Sequence, residues 1–427
     1  MNIVVIICDQ LRYDALQCNG NPYVQTPNLN RLAERSVQFT SAFTSAPICS
    51  PARHSLISGV YPFAHGVTDN ETKPAKPLET IAHKLHTAGY RSAHITAVPE
   101  KGGFDHGFDT VRPQNLNDIL SEQDKSAVAW ENSKAVLRLT AGPSTRTKEQ
   151  HKGFLVAERA VQFIEEAADN GETFQLWVGF PEPHPPFYPP KPFFDQFDPS
   201  KFNLPDELPE TATPPHPFIT NRQKEWSRLT DAEKRQMLAG YYGLVEMVDQ
   251  FVGMVVDAID RQNMTEDTLI VFTSDHGEQL GEHGMYFKFV MRESSVHVPL
   301  MFSHPRLKPG VRHELAAHVD LFPTLCDMAG LDIPEHLHGR SLKPLLESEA
   351  APDHWRTEVI AQMENRFMIR TDTWKLNMYD DEPGELYHIA EDPQEFNNLI
   401  GKAEYSDVVA RLKNALDEQR AQANSAH

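Results

Sequence analysis

Four separated segments carry side chains whose types and spacing could do chemistry together. Cys49-Ser50-Pro51-Ala52-Arg53 sets a thiol at the start of a short helix and a guanidinium one turn further along the same face. Ser50 is expected as the helix cap, Pro51 in the first turn, Leu56 and Ile57 on the apolar side, and Gly59 as the stop. Free backbone N–H groups and the positive end of the helix dipole favour negative charge there. Cys49 and Arg53 therefore read as a nucleophile beside a site for a tetrahedral anion. Taken alone, Cys49 equally suits a buried structural thiol, since free cysteine is among the most buried residue types. Asp9 follows the apolar run Ile3-Val4-Val5-Ile6-Ile7-Cys8, and Asp275 follows closely on Leu269-Ile270-Val271-Phe272. Both should emerge at the carboxyl ends of strands, where open α/β sheets bind ligands. Either one alone could be a cap or turn residue. Two carboxylates brought together repel, and a hard divalent cation with oxygen ligands relieves that repulsion. Gln10 and His276 follow the two aspartates, and His184 marks a third polar strand end.

The elements that must hold these residues are legible in the hydrophobic pattern. Strand-length apolar runs at Asn2–Cys8, Arg91–Ala97, Thr173–Phe180, Thr268–Ser274 and His297–Phe302 alternate with helix-length amphipathic runs. This predicts an α/β fold with a large, mostly parallel mixed sheet sandwiched by helices. Thr26-Pro27 opens one helix; Leu78, Ile81, Ala82 and Leu85 mark another that stops at Gly89. Phe154, Ala157, Val161 and Ile164 pattern a third. Thr230 and Glu233 form a capping box before a long helix whose Tyr241, Leu244, Val245, Val248, Val252 and Val255 read as core. The stretch from Pro181 to Pro217 holds 13 of the 32 prolines, which excludes helix or central strand over most of it. Its aromatics Phe187, Tyr188, Phe193, Phe194 and Phe197 favour an ordered loop, expected at the rim of the cleft. Beyond Ser341, Phe367–Arg370 and Trp374–Met378 read as short paired strands and Asp407–Ala421 as a terminal helix. The expected division is a catalytic domain over 1–340 and a small α+β subdomain over 341–427.

Composition sets limits. With 427 residues the chain has ample length for a large α/β core. Its formal charge of -20, from 60 acidic and 40 basic residues, argues against a general nucleic-acid or anionic-membrane binder. An anionic small substrate stays compatible, because a metal ion and a few cations dominate locally within a Debye length of roughly 8–10 Å. Cys8, Cys18, Cys49 and Cys326 show neither metal-type nor disulfide-framework spacing. Met1 leads directly into the first strand without a leader pattern, and no apolar run reaches the roughly 20 residues needed to cross a bilayer. The expectation is a soluble cytoplasmic protein, although a chain trimmed of a leader would read the same.

Cys49-Ser50-Pro51-Ala52-Arg53 resembles the Cys-X-Pro-X-Arg signature of type I sulfatases, in which the cysteine is oxidised after translation to formylglycine. Gly59-Val60-Tyr61-Pro62-Phe63-Ala64-His65-Gly66-Val67 continues that pattern. Thr273-Ser274-Asp275-His276-Gly277-Glu278 and Cys8-Asp9-Gln10-Leu11-Arg12-Tyr13-Asp14-Ala15-Leu16 resemble the family's two metal segments. Arg370-Thr371-Asp372-Thr373-Trp374-Lys375-Leu376 and the run from Glu385 to Leu399 resemble its C-terminal subdomain, so the likeness spans nearly the whole chain. The resemblance implies an alkaline phosphatase-like fold. It also implies one divalent metal held by Asp9, Gln10, Asp275, His276 and an oxygen of the modified Cys49. Oxygen-rich ligation fits Ca²⁺, and the imidazole makes Mn²⁺ the competitor. Many members carry Asp and Asn where this chain has Gln10 and His276, a variant seen in the branch of phosphonate monoester hydrolases and choline sulfatases.

Pro181-Glu182-Pro183-His184-Pro185-Pro186-Phe187 resembles the motif whose histidine contacts the sulfate or its leaving oxygen, and Gly281–Lys288 resembles the segment that delivers an active-site lysine. By its residue type alone Lys288 would be solvated surface. Asn70 matches a position that supports the substrate site in some members. The family's Gly-Lys-Trp-His segment is missing: Gly89-Tyr90 leads instead to Thr96-Ala97-Val98-Pro99, which leaves His94, Thr96 or Lys101 as stand-ins. The implied activity is hydrolysis of a sulfate monoester, on a sulfated carbohydrate or a small aryl or alkyl sulfate. Its catalytic residues would be Cys49, Arg53, His184 and Lys288, and Asn70, His184 and Lys288 would bind substrate. The rivals are a phosphonate monoester or phosphodiester hydrolase and an unmodified, non-catalytic anion-binding relative. The resemblance also implies a formylglycine-generating maturation enzyme as partner, and self-association into a homo-oligomer is left open.

Overall fold

The computed structural model of the chain describes residues 1–74, 76–97, 106–112, 141–208, 214–348 and 350–425. Lys101, one of the three stand-ins, lies outside the described residues. The strands are β1 (Asn2–Asp9), β2 (Ser36–Phe39), β3 (Ala42–Phe43), β4 (Arg91–Thr96), β5 (Thr110–Arg112), β6 (Phe174–Pro183), β7 (Thr268–Ser274), β8 (Leu300–Ser303), β9 (Gly310–Arg312), β10 (Ala316–Ala317) and β11 to β14 (Val359–Met363, Arg366–Arg370, Trp374–Tyr379, Glu382–His388). Eight of them form one mixed sheet in the order β5-β4-β6-β1-β7-β8-β2-β9. Only β8 runs against the rest. β8 starts three residues later than its apolar pattern predicts. Glu293–Val296 first makes a helical turn, and Pro299 then interrupts the backbone donors.

β1 lies at the centre, buried along its whole length. Successive side chains of a strand face opposite ways. Val4, Ile6 and Cys8 therefore join one core with Leu29 and Leu32, with Val156, Ala160 and Ile164, and with Val245, Val248 and Val252. These belong to the helices Pro27–Glu34, Lys152–Asn170 and Asp231–Arg261. Ile3, Val5 and Ile7 join the opposite core with Leu56, Ile57, Ile81, Leu85, Leu321 and Phe322. Each buried aliphatic side chain contributes about 1.5–3 kcal/mol of transfer free energy, so two full cores fix β1 and whatever follows it. The long helix begins at the expected capping box: the Thr230 hydroxyl accepts from Glu233 N–H, and the Glu233 carboxylate accepts from Thr230 N–H. The Pro27–Glu34 helix also starts where Thr26-Pro27 predicts, but its N–H groups are capped by Asp249 of the long helix, at 2.8 Å from Leu29 N.

β11 to β14 form a separate antiparallel meander, covered by the Ser406–Ser425 helix and sharing a core that includes Phe43, Ile48 and Ala52. Its charged edge grips the segment just after Lys288. Lys375, with no exposed surface, places its ammonium 3.0 Å from Glu293 and 2.9 Å from Glu395. Arg292 donates to the Glu395 carbonyl at 2.9 Å and to Glu385 at 3.2 Å. The proline-rich stretch divides into two roles. Its middle packs inward, with Phe187 against the Tyr241 ring, whereas its ends, His184 and the Pro217–Trp226 helix, flank a cavity.

Candidate active site and metal centre

The three polar strand ends meet at the carboxyl edge of β1, β6 and β7. The β1–β6 register slips between Cys8 and Asp9, so that Asp9 pairs with Pro183 and the chain turns out of the sheet at Gln10, whose φ is 71°. Tyr241, read from sequence as core, is buried and also braces this turn: its hydroxyl accepts from Arg12 N–H and donates to the Gln10 carbonyl. On the neighbouring strand, Asp275 follows β7 directly and its Oδ1 accepts from the N–H groups of Gln10 and His276 at 3.0 and 2.9 Å.

The Cys49–Ser58 helix points its first turn at this edge. It begins two residues earlier than the motif suggests, with Ile48 as the capping position and Cys49 as the first helical residue. Ser50 is therefore inside the helix and not its cap. The Ser50 N–H is satisfied from a distance by Asn70 Oδ1 at 2.9 Å, which gives Asn70 a structural task beside the nucleophile. Gly59, at φ 69°, stops the helix as predicted.

Arg53 sits one turn along and lies between the two aspartates. It contacts Asp9 Oδ2 at 2.8 Å through Nη2, and Asp275 Oδ2 at 3.0 Å through Nε and 2.9 Å through Nη2. The guanidinium thus occupies one oxygen of each carboxylate, which is a different assignment from the bare anion site expected from spacing. The other oxygens, both Oδ1, face His276 Nε2 at 3.7 and 3.6 Å, and Cys49 Sγ lies 3.2 Å from the same nitrogen and 3.6 Å from Asp9 Oδ1. His276 Nδ1 is 3.0 Å from the Gly277 carbonyl. Nδ1 therefore carries the proton, and Nε2 presents a lone pair toward two carboxylate oxygens. One donor atom from each of Asp9, Cys49, Asp275 and His276 lies within 4.8 Å of all the others.

Arg53 offsets the repulsion between the carboxylates through their Oδ2 atoms and leaves both Oδ1 atoms turned toward His276. Two buried carboxylates and a neutral imidazole turn oxygen and nitrogen lone pairs toward one point beside the Cys49 thiol, which is the donor chemistry of a divalent metal site. The protonation pattern agrees. Burial, helped by Lys288, drives His276 well below its ordinary value and keeps it neutral. Burial and the charge of Asp9 push Asp275 up to about 6. Burial also works to raise Asp9, but His184, Arg53 and Lys288 outweigh it and hold that carboxyl far below the usual range. The thiol is affected most plainly: burial, then Asp9, lifts Cys49 to about 12, so the helix N-terminus does not make a thiolate here.

The Gln10 carboxamide, expected as a ligand, is engaged by two side chains beside this cluster. Its nitrogen donates to Glu278 and its oxygen accepts from Lys288, so Gln10 is a bridge that seats the lysine. Glu278, which ends the second metal segment and has no role assigned there, is fully buried; one of its oxygens accepts from Leu280 N–H and Phe287 N–H. Lys288 is 3% exposed despite its residue type. The residues flanking it, Phe287 and Phe289, both have left-handed backbone, with φ of 65° and 77°, and Phe289 N–H donates to the Pro47 carbonyl. Such strained positions concentrate where a side chain must be aimed. Gly277 is required by close approach, since a Cβ there would lie 2.0 Å from the Ser294 carbonyl oxygen. His184 leaves β6 directly, its Nδ1 2.7 Å from the Pro185 carbonyl, and with Lys288 and Asn70 it lines a cavity of about 290 Å³. Of the described stand-ins, His94 packs against the His106 and Phe108 rings, and Thr96 Oγ1 lies against Gly179.

A mixed, mostly parallel sheet with this carboxylate, imidazole and cation set at its edge is the architecture of an alkaline phosphatase-like hydrolase. The family model for sulfatases matches residues 1–331, and a model described as "N-sulphoglucosamine sulphohydrolase, C-terminal" matches residues 281–422. The chain belongs to the sulfatase family. It is 29% identical to choline-sulfatase of Rhizobium meliloti (strain 1021), over 93% of this chain and 82% of that protein. It is 27% identical to a multifunctional alkaline phosphatase superfamily protein of Trinickia caryophylli, over 96% and 93%. The phosphonate monoester hydrolase structure from Silicibacter pomeroyi has the same fold, with a TM-score of 0.85, 24% identity and coverage of 99% of this chain and 95% of that one. Among the described residues no helix is long and apolar enough to cross a membrane.

Proposed function

We propose that the protein hydrolyses a sulfate monoester, borne by a carbohydrate or a small aryl or alkyl alcohol, at a divalent metal site and a formylglycine made from Cys49. The observation that carries this reading is the convergence of Asp9 Oδ1, Asp275 Oδ1 and His276 Nε2 on Cys49 Sγ, at the start of a helix. The metal, Ca²⁺ by oxygen-rich ligation with Mn²⁺ as the imidazole-favoured competitor, would supply Lewis acidity toward the ester's oxygens. Formylglycine at this position would supply, as its hydrate, one hydroxyl for attack on sulfur and a second whose deprotonation would release sulfate. A buried thiol lifted to about 12 is a poor nucleophile, which argues against direct thiol chemistry at this position.

The chain's own residues do the rest. Arg53 orients the two carboxylates and offsets their repulsion. Asn70 fixes the first turn of the nucleophile's helix. Lys288, held by Gln10, places a charge where the nonbridging oxygens develop theirs, and His184 or Lys288 delivers the proton to the departing alcohol.

The Gln10 and His276 pair favours one second reading, hydrolysis of a phosphonate monoester or phosphodiester, which presents the same single negative charge. Parallel kcat/KM measurements on nitrophenyl sulfate and a nitrophenyl phosphonate ester decide between them. Preference for the sulfate is expected, and a strong preference for the phosphonate overturns the proposal.

A further inference from the structure

The cavity that receives His184, Lys288 and Asn70 continues outward to a second, differently built end. That outer wall comes from the Pro217–Trp226 helix, which no motif singles out, and from the aromatic residues flanking Lys288. Trp226 and Phe287 are 5% and 8% exposed, with ring centroids 5.7 Å apart, and Phe289 continues the apolar surface. Arg222 lies across it, its guanidinium carbon 4.9 Å from the Phe289 centroid and 5.7 Å from that of Phe218. Stacked this way, a guanidinium keeps its N–H edge directed away from the rings. Among the described residues its one polar partner is Glu225, at 3.4 Å, so most of its five donors are open to a ligand. Lys288 Nζ lies 5.8 Å from the centroid of the same Phe289 ring. Both cations therefore lie against the same Phe289 ring and line the same cavity.

Resting on the sulfate-ester reading above, we infer that Arg222 selects a leaving alcohol that is itself anionic: a ring that packs on the aromatic wall and carries a second sulfate or a carboxylate that Arg222 meets in the same cavity as the scissile ester. The charge balance favours this over a cationic alcohol. Arg222, Lys288 and His184 line the cavity against the single carboxylate of Glu225, and Arg222 and Lys288 both already lie against Phe289, so a ligand's ammonium there would meet two like charges.

The test compares kcat/KM of the wild type, Arg222→Gln and Glu225→Gln on four esters: a ring monosulfate with no other charge, the same ring with a second sulfate, the same ring with a carboxylate, and a quaternary-ammonium alkyl sulfate. The wild type should favour the doubly anionic rings, with the two arms showing whether sulfate or carboxylate is the better second group. Arg222→Gln should lower the ratio of doubly to singly anionic substrate by roughly tenfold or more, chiefly through KM, whereas Glu225→Gln should raise it. An unchanged ratio in Arg222→Gln, or a wild-type preference for the quaternary-ammonium ester, overturns the inference. If the wild type hydrolyses no sulfate ester, the function proposed above fails. Arg222 is then tested by calorimetric titration with the sulfate-free ring carboxylate. A roughly tenfold weaker affinity in Arg222→Gln sustains the anion site, and an unchanged affinity removes it.

Discussion

Replacing Lys375 with Met should unfasten the C-terminal sheet from the segment that aims Lys288. The Lys375 ammonium has no exposed surface and lies 3.0 Å from Glu293 and 2.9 Å from Glu395. Met keeps the volume and removes the charge. Arg370 at 3.2 Å is then the cation left beside Glu293, while Arg292 reaches only the backbone carbonyl of Glu395. Removing one partner from a buried ion pair costs about 3–5 kcal/mol, because the other charge is left uncompensated. At about 2 °C per kcal/mol for a chain larger than a small domain, the thermal midpoint should fall by roughly 6–10 °C. The pH dependence is a sharper check than the size. Burial would raise the Glu293 carboxyl, but Lys375 and Arg370 outweigh it and hold the group down to about 2 from an ordinary 4.5. A depressed carboxyl adds stability that is fully present above its unfolded value and lost as pH falls toward its folded one. The deficit of Lys375→Met should therefore be largest at pH 7 and shrink as pH falls below 4.5. Urea unfolding, followed by tryptophan fluorescence, measures it at both ends. Adding Glu395→Gln to the variant should recover part of the loss. A deficit below about 1 kcal/mol at pH 7, or one that stays constant down to pH 4, would refute the reasoning.

Gly277→Ala places a Cβ 2.0 Å from the Ser294 carbonyl oxygen, next to the carbonyl that anchors His276. Metal affinity should fall roughly 10- to 100-fold by calorimetry, with stability lower by about 1–3 kcal/mol. Asn70→Ala leaves the Ser50 N–H without its acceptor, and should cost about 1 kcal/mol in urea unfolding and lower kcat by displacing residue 49. His276→Asn should weaken Mn²⁺ binding more than Ca²⁺ binding, because it exchanges an imidazole for an oxygen donor; equal losses would count against His276 as a ligand. Chelation should lower the thermal midpoint by exposing the repulsion between Asp9 and Asp275, and free metal at about 100 times its Kd should restore about 2.7 kcal/mol.

How much of this was readable in the sequence follows from what each residue depends on. The central strands were legible because burial on both faces demands unbroken apolar runs, and Asp9 and Asp275 stand out as the polar residues that end two of them. The long helix announced itself through Thr230 and Glu233. The helix cap at Cys49 was misplaced because Asn70, far along the chain, does what a local serine usually does. Arg53 was placed correctly, but its partners are the carboxylates, a pairing that only the meeting of β1 and β7 reveals. Glu278, Arg222 and Trp226 carried no local signal. Their roles depend on a loop and a helix folding back over the sheet edge, although Gly277 after His276 was a hint of close backbone approach.

The central claim is that residue 49 acts as formylglycine, and the most direct measurement is the mass of the Cys49 peptide in preparations matured to different extents, each assayed on a sulfate ester in parallel. The account predicts that activity rises in proportion to the fraction in which the thiol has become the lighter aldehyde, and vanishes in the fully thiol form. Full activity from a protein whose Cys49 is entirely unmodified would contradict it.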